Sequence, residues 1–301
     1  MREITGGVLL ILVILGGLWL YTGQPLGTSP VVVVESGSMM HCDGGPRSGS
    51  YGCEGPYGRL GTIDPGDLVL VQDIDGPGDV ETMAEDGESR YGKSGDVIVY
   101  RTDGDGRRTP IIHRALFYLE IHGPGDYSIA ALGLHHIRDL ADPSLYDDPA
   151  TPGADDSLLA RMTNGRGWAR NVMQDCTRPE QSGFVTRGDN NAKADQEGGG
   201  GDLPRCPVQP GWIVGKARGE IPWVGLLKLK VSDWTSGTTH YADAPGDLKV
   251  MLFVSIAVLV GGPIAWDQVA RMRRNRKEKA EAGAAKPGDG PDTSGGDGPK
   301  P

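Results

Sequence analysis

Apolar positions along the chain fall into two kinds of run. Two long uncharged stretches lie near the ends, and short β-branched runs punctuated by Gly, Pro and Asp lie between them. Residues 4–21, "ITGGVLLILVILGGLWLY", carry no charge. As a helix rising about 1.5 Å per residue they reach roughly 27 Å, close to the hydrocarbon thickness of a bilayer. Residues 250–266, "VMLFVSIAVLVGGPIAW", form a second uncharged run near the lower end of the spanning range. The first run reads either as a cleaved signal peptide or as a retained anchor. Its apolar part is longer than a typical signal core, and "YTGQPLGTSP" has no small-x-small cleavage site, so a retained anchor is expected. The second run is followed directly by "RMRRNRKEK", and basic residues beside a span mark its cytoplasmic side. The resulting plan puts 1–3 inside, 4–21 across the membrane, 22–249 outside, 250–266 across again and 267–301 inside. The tail after the basic cluster is Gly-, Pro- and Asp-rich, too polar to build a core.

Within 22–249 the apolar runs are short: 31–34, 68–71, 97–100, 111–112, 184–186 and 212–214. Explicit turn signals separate them, among them "DPGD" at 64–67 and "KSGD" at 93–96. This pattern predicts many short strands and a mainly β domain. Helical periodicity is weak there, and only about 155–162 reads as a short helix. Two Gly-rich polar insertions are expected, near 41–60 and near 122–180, the longer one a surface loop assembly.

Composition narrows the partners. The net charge is −10, and the outer region is dense in Asp and poor in Lys, which disfavours nucleic acid as a partner and suits a surface kept hydrated at high salt, as in a halophile. All four cysteines (Cys42, Cys53, Cys176, Cys206) fall in the outer region, where disulfides persist. Cys42–Cys53 and Cys176–Cys206 are candidate local pairs, although four cysteines allow three connectivities. No CxxC or HxxxH spacing supports a zinc site, so neither a metal nor a cofactor is expected.

Candidate chemistry starts at "VVVVESGSMMHC", residues 31–42. A serine hydroxyl is a poor nucleophile without a base to take its proton and donors to hold the oxyanion. Among six histidines, His113 in "TPIIHR" sits at a strand end, where a rigid scaffold can fix its ring. His41 is only three residues from Ser38, at the mouth of a Gly-rich insertion, a mobile place for a base. A strand-like run then ends in "FVTRGDNNAKADQ", residues 184–196, with two carboxylates, Asp189 and Asp195. Either can orient an imidazole as in hydrolase triads. "RGD" at 187–189 is a chance-level tripeptide, and "DNN…D" lacks the ligand spacing and closing glutamate of a calcium loop.

Taken in order, "VVVVESGSM", "IDPGDLVLV", "GDVIVYR", "PIIHR", "VTRGDNNAKAD" and "VGKARGEIPWVG" resemble the archaeal and endoplasmic-reticulum branch of type I signal peptidases, membrane-bound serine endopeptidases that remove signal peptides. The resemblance implies an antiparallel β catalytic domain, flanked here by two transmembrane helices, whose apolar surface meets the membrane. It implies Ser38 as nucleophile, His113 as general base where bacterial relatives use lysine, and Asp195 as the third catalytic residue. Asp189 is implied to be important in the same box, and Ser36 to donate to the oxyanion. The implied partners are secretory preproteins, the lipid membrane and the translocation machinery, at the cell membrane with the catalytic domain outside. Departures are "SGSMMH" where the family usually reads "SGSMEP", a single acidic residue at the end of "KAD", and longer insertions. The alternative of a different class is a non-catalytic, doubly anchored cell-surface binding or structural module. A self-cleaving Ser/Lys protease is disfavoured by His113 and the two expected spans.

Overall fold

The structure, a computed structural model, describes residues 2–24, 28–41, 61–138, 176, 181–191, 193–197, 202–244 and 246–284. The chain divides into two units, Met1–Leu252 and Phe253–Pro301. The first is a mainly antiparallel β domain. Its strands are β1 (Val31–Val33), β2 (Leu68–Gln72), β3 (Ser89–Arg90), β4 (Lys93–Ser94), β5 (Val97–Tyr100), β6 (Ile111–Gly123), β7 (Asp126–Ile129), β8 (Leu134–Ile137), β9 (Gly183–Arg187) and β10 (Ile213–Ile221). The large sheet runs β1-β2-β10-β5-β6-β7-β8, with β9 also paired to β6, while β3 and β4 form a separate ribbon. Among the described residues β1 is an edge strand, paired only with β2.

Burial follows the pleat. In β2 the two valines Val69 and Val71 are buried and the flanking residues half-buried, the alternation of a strand with one face in the core. β5 is central and buried on both faces, so "VIVY" reads as an unbroken apolar run. One face of the sheet collects Val69, Val71, Val97, Val99 and Ile112 with Val34 and Met39. The other collects Ile98, Tyr100, Ala115, Phe184 and Trp212. Each such apolar side chain contributes roughly 1.5–3 kcal/mol through burial.

β6 departs from expectation. A run expected to cover 111–112 is a 13-residue strand, with a bulge between Ala115 and Phe117. Its alternation is masked in the sequence because His113 and Arg114 occupy buried positions that only specific partners make tolerable. The strand continues into β7 and β8, so the stretch expected to be a loop insertion from 122 opens with two further paired strands. Of the other expectations, the helix at 155–162 and nearly all of the 41–60 insertion lie outside the described residues. Cys176 and Cys206 form the second expected disulfide; Cys42 and Cys53 lie outside the described residues.

Among the described residues four α-helices accompany the strands: α1 (Arg2–Thr22), α2 (Leu226–Ser236), α3 (His240–Asp243) and α4 (Gly246–Ala284). α2 and α3 were not expected, since "LLKLKVSDWTS" alternates over its first half and reads as readily as a strand. Among the described residues one helix, Gly246–Glu278 within α4, is long and apolar enough to cross a membrane, with a mean hydropathy of 2.1 over an 18-residue stretch. It contains the expected 250–266 span. α1 covers the first expected span, but its described apolar stretch, Leu12–Thr22, is shorter than a crossing requires.

Candidate active site

The chain leaves β1 in a fixed direction because the "DPGD" turn holds it. Val34 N–H donates to Asp67 O at 3.0 Å and Gly66 N–H donates to Val34 O at 2.9 Å. Gly66 has φ +102°, which a side chain would make costly. Asp67 is fully buried and accepts from the backbone N–H of Asp64 (2.9 Å) and of Trp223 (3.0 Å). Burial pushes its carboxyl up to about 7. After Ser36, residues Gly37–Met39 close a 3-10 turn, and Met39 is sunk in the core with Val34. Asn190 fixes this turn from the other side. Its N–H donates to Ser38 O at 2.8 Å and its Nδ2 to Gly37 O at 3.0 Å. Ser38 is thus half-buried and held by backbone on both flanks.

His113 stands on β6 opposite Ile98, and Arg114 opposite Val97. Directly paired residues share a sheet face, so these two neighbours project to opposite faces. His113 is buried, with Nε2 2.9 Å from Ser38 Oγ and Nδ1 2.6 Å from Asp195 Oδ2. The same carboxylate oxygen accepts from Tyr100 OH at 2.8 Å and Thr186 Oγ1 at 2.7 Å, and Asp195 N–H donates to Thr186 O at 2.8 Å. Burial raises the Tyr100 hydroxyl well above its ordinary value, with the Asp195 charge adding to it, so it stays a donor. A carboxylate on Nδ1 fixes that nitrogen as N–H and leaves the Nε2 lone pair facing Ser38. The arrangement can accept a serine proton and stabilise the imidazolium that results.

Asp189 is brought to a different place. Its carboxylate accepts from Arg114 Nε at 2.8 Å and Arg114 Nη2 at 2.7 Å, and lies 2.8 Å from His41 Nε2. Lys93 Nζ donates to the Asp189 carbonyl at 3.2 Å. Burial works to raise the Asp189 carboxyl, but the hydrogen bonds from Arg114 and His41 and the nearby positive charges outweigh it, holding the group well below the usual carboxylate range. Burial, with Arg114 and Arg187 adding to it, lowers Lys93 despite the Asp189 charge. His41, expected at a mobile position, is therefore tied to this buried pair.

Ser36 is exposed, its hydroxyl 3.3 Å from Ser38 Oγ. Ser36, Ser38 and His113 open onto a groove of about 500 Å³ whose walls include Val32 on β1 and Ile111 at the start of β6. The backbone is tight beneath it. A Cβ at Gly188 would come within 2.6 Å of Ser38 O and 3.0 Å of His113 Nε2. Tyr100, Thr186, Arg114 and Asn190 went unremarked in the sequence, although each lies in one of the quoted boxes. For Tyr100, Arg114 and Thr186 the available signal was a polar group inside or at the end of an apolar strand run, whereas Asn190, outside the strands, offered none. Among the described residues no three His, Cys, Asp or Glu side chains are grouped to hold a metal ion. No protein-family model matches this chain, and no curated protein matches it.

Proposed function

We propose that the chain is a membrane-bound serine endopeptidase that removes signal peptides from secretory preproteins. The observation that carries the reading is the hydrogen-bonded series Ser38–His113–Asp195 at the edge of a groove beside β1, an edge strand among the described residues. The resemblance of the ordered boxes to signal peptidases supplies the substrate class. In this reading the anchors are 4–21 and 250–266, with 22–249 outside the cell membrane and both termini inside.

The cleavage segment extends along β1, where main-chain hydrogen bonds give affinity and alternate side chains enter the groove. His113 Nε2 takes the Ser38 proton as Oγ bonds to the scissile carbonyl carbon. The oxyanion accepts hydrogen bonds from the Ser36 hydroxyl and the Ser38 N–H. The imidazolium, stabilised by Asp195, then gives its proton to the departing amide nitrogen, and the C–N bond breaks. This frees the mature protein's new amino terminus and leaves the signal peptide as an ester on Ser38. Water, deprotonated by His113, attacks the ester and releases the signal peptide as a carboxylate.

The test is processing of a preprotein with a defined signal sequence by membranes containing wild type or Ser38→Ala. Cleavage by wild type alone is expected. Equal cleavage by both, or by neither, overturns the reading.

A further inference from the structure

A chain laid along β1 has two faces, and the groove meets them with different chemistry. Val32 and Val34 lie on one side of β1, in the apolar cluster that also holds Met39 and Ile112. Val33 lies on the other side and packs against the cluster holding Leu226 and Leu229 of α2. Glu35 follows the same alternation, and its carboxylate pairs with Lys228 of α2 at 2.9 Å. His240 of α3 sets Nε2 3.9 Å from the other oxygen of that carboxylate. Glu35, Lys228 and His240 all line the groove. One half of the groove is therefore valine and isoleucine, and the other is a charged wall.

That wall presents a cation. The Glu35 side chain is 25% exposed and that of Lys228 57%, so the ammonium is what an incoming chain meets. An ammonium carries three N–H donors and no acceptor, and the bond to Glu35 engages one of them. Glu35 thus fixes Lys228 in place without exhausting its donors, and His240 adds a further nitrogen to the same wall. Asp202, the other carboxylate of the groove among the described residues, has its own partner in Arg108 at 3.9 Å. Signal-peptide cleavage sites follow a small-x-small pattern. In an extended chain the two small residues share one face and x takes the opposite one. Small side chains suit the apolar half of the groove, which turns x toward Lys228.

We propose that Lys228, held by Glu35 and joined by His240, selects preproteins with an acidic side chain between the two small residues of the cleavage site. The inference rests on the peptidase reading and adds to it a charge preference at one substrate position. A substrate carboxylate at x gains a charge-assisted hydrogen bond from Lys228, whereas a substrate lysine meets like charge.

The test uses preproteins that differ only at x, carrying Asp, Asn or Lys, and membranes containing full-length wild type, Lys228→Gln or Lys228→Glu. The readout is the ratio of kcat/KM values within each enzyme, which cancels any general loss caused by the substitution. Wild type should favour Asp over Asn by about three- to fivefold, the scale of one exposed ion pair, and Asn over Lys. Lys228→Gln should bring the Asp-to-Asn ratio close to one, and Lys228→Glu should invert the order so that Lys is cleaved fastest. An Asp placed far along the mature chain should give no gain. A wild-type ratio near one overturns the proposal, and so does a preference that survives in Lys228→Gln or follows the distant Asp. Lys228 is more than half exposed, so Lys228→Gln should keep the fold and decides the matter if Lys228→Glu does not fold. If wild type cleaves none of the three preproteins, the peptidase reading itself fails and the preference falls with it. Cleavage of all three at equal rates overturns the preference alone.

Discussion

Arg114 grips Asp189 through two parallel hydrogen bonds, Nε to Oδ1 at 2.8 Å and Nη2 to Oδ2 at 2.7 Å, on the sheet face opposite to His113. The two carboxylates of one box are thus divided by two consecutive residues of one strand. Asp195 meets His113 and Asp189 meets Arg114. Different consequences follow for their removal. Asp189→Asn leaves Arg114, which has no exposed surface, without its counter-charge. Breaking such a buried pair costs about 3–5 kcal/mol, so this variant should lose most of its stability in a denaturant melt. Asp195→Asn keeps the volume and should melt closer to wild type, yet slow turnover by about 10³–10⁴ through the wrong imidazole tautomer. A folded, inactive Asp189→Asn beside an active Asp195→Asn would exchange the two roles.

Gly188 offers a sharper probe of the same geometry. A methyl group there meets the Ser38 carbonyl at 2.6 Å and His113 Nε2 at 3.0 Å, and the first of these is backbone that cannot swing away. Gly188→Ala should therefore part Ser38 from His113, and a displacement of about 1 Å is enough to cost on the order of 10²-fold in rate. The fold should persist, because Gly188 lies just past the end of β9 and the strand pairings do not include it. The measurement is preprotein turnover alongside the melting midpoint; undiminished turnover would show that the Ser38–His113 contact is unimportant.

Much of this was legible in the sequence, for identifiable reasons. The central strands declare themselves because β2 opens with the Leu/Val run of 68–71 and β5 is an unbroken β-branched and aromatic run, each bounded by turn residues. Ser38, His113 and the two aspartates stand out because reactive side chains at strand ends are few. The length of β6 was hidden by His113 and Arg114, which break its apolar pattern and are buried only because distant residues pair with them. α2 was hidden because its leucines are shared between a buried face and an exposed one, so no single stripe shows. The division between Asp189 and Asp195 was beyond sequence reasoning, since it depends on which face of β6 each meets. His41 was misjudged from its Gly-rich surroundings, when its partner lies 148 residues away.

The two histidines near Ser38 should separate cleanly. His113→Ala removes the base and leaves the Asp195 carboxylate with Tyr100 and Thr186 alone. Turnover should fall to background at every pH. His41→Ala removes one neighbour of Asp189 and leaves both Arg114 hydrogen bonds in place. The expected loss is about 1–3 kcal/mol of stability with turnover retained below the melting temperature. Loss of turnover in His41→Ala with retention in His113→Ala would reassign the base.

Acid and base should act on this fold through different carboxylates. Asp67 has a folded pKa raised to about 7 from an ordinary 3.8, so between those values the native state holds a proton that the unfolded chain has released. Stability must then fall as pH rises through that window and level off above it. Asp189 is shifted the other way. Its contribution is present above the ordinary carboxylate pKa and is lost only as pH falls through its depressed folded value, so it is constant between pH 5 and 8. Asp67→Asn removes the titration but keeps only one oxygen for the N–H groups of Asp64 and Trp223. The variant should be less stable than wild type at pH 5, and the gap should narrow toward pH 8, by a few kcal/mol at most given about 1.4 kcal/mol per pKa unit. Denaturant melts of both proteins across pH 5–8 measure it, and a gap that widens with pH would mean that Asp67 is ionised in the fold throughout.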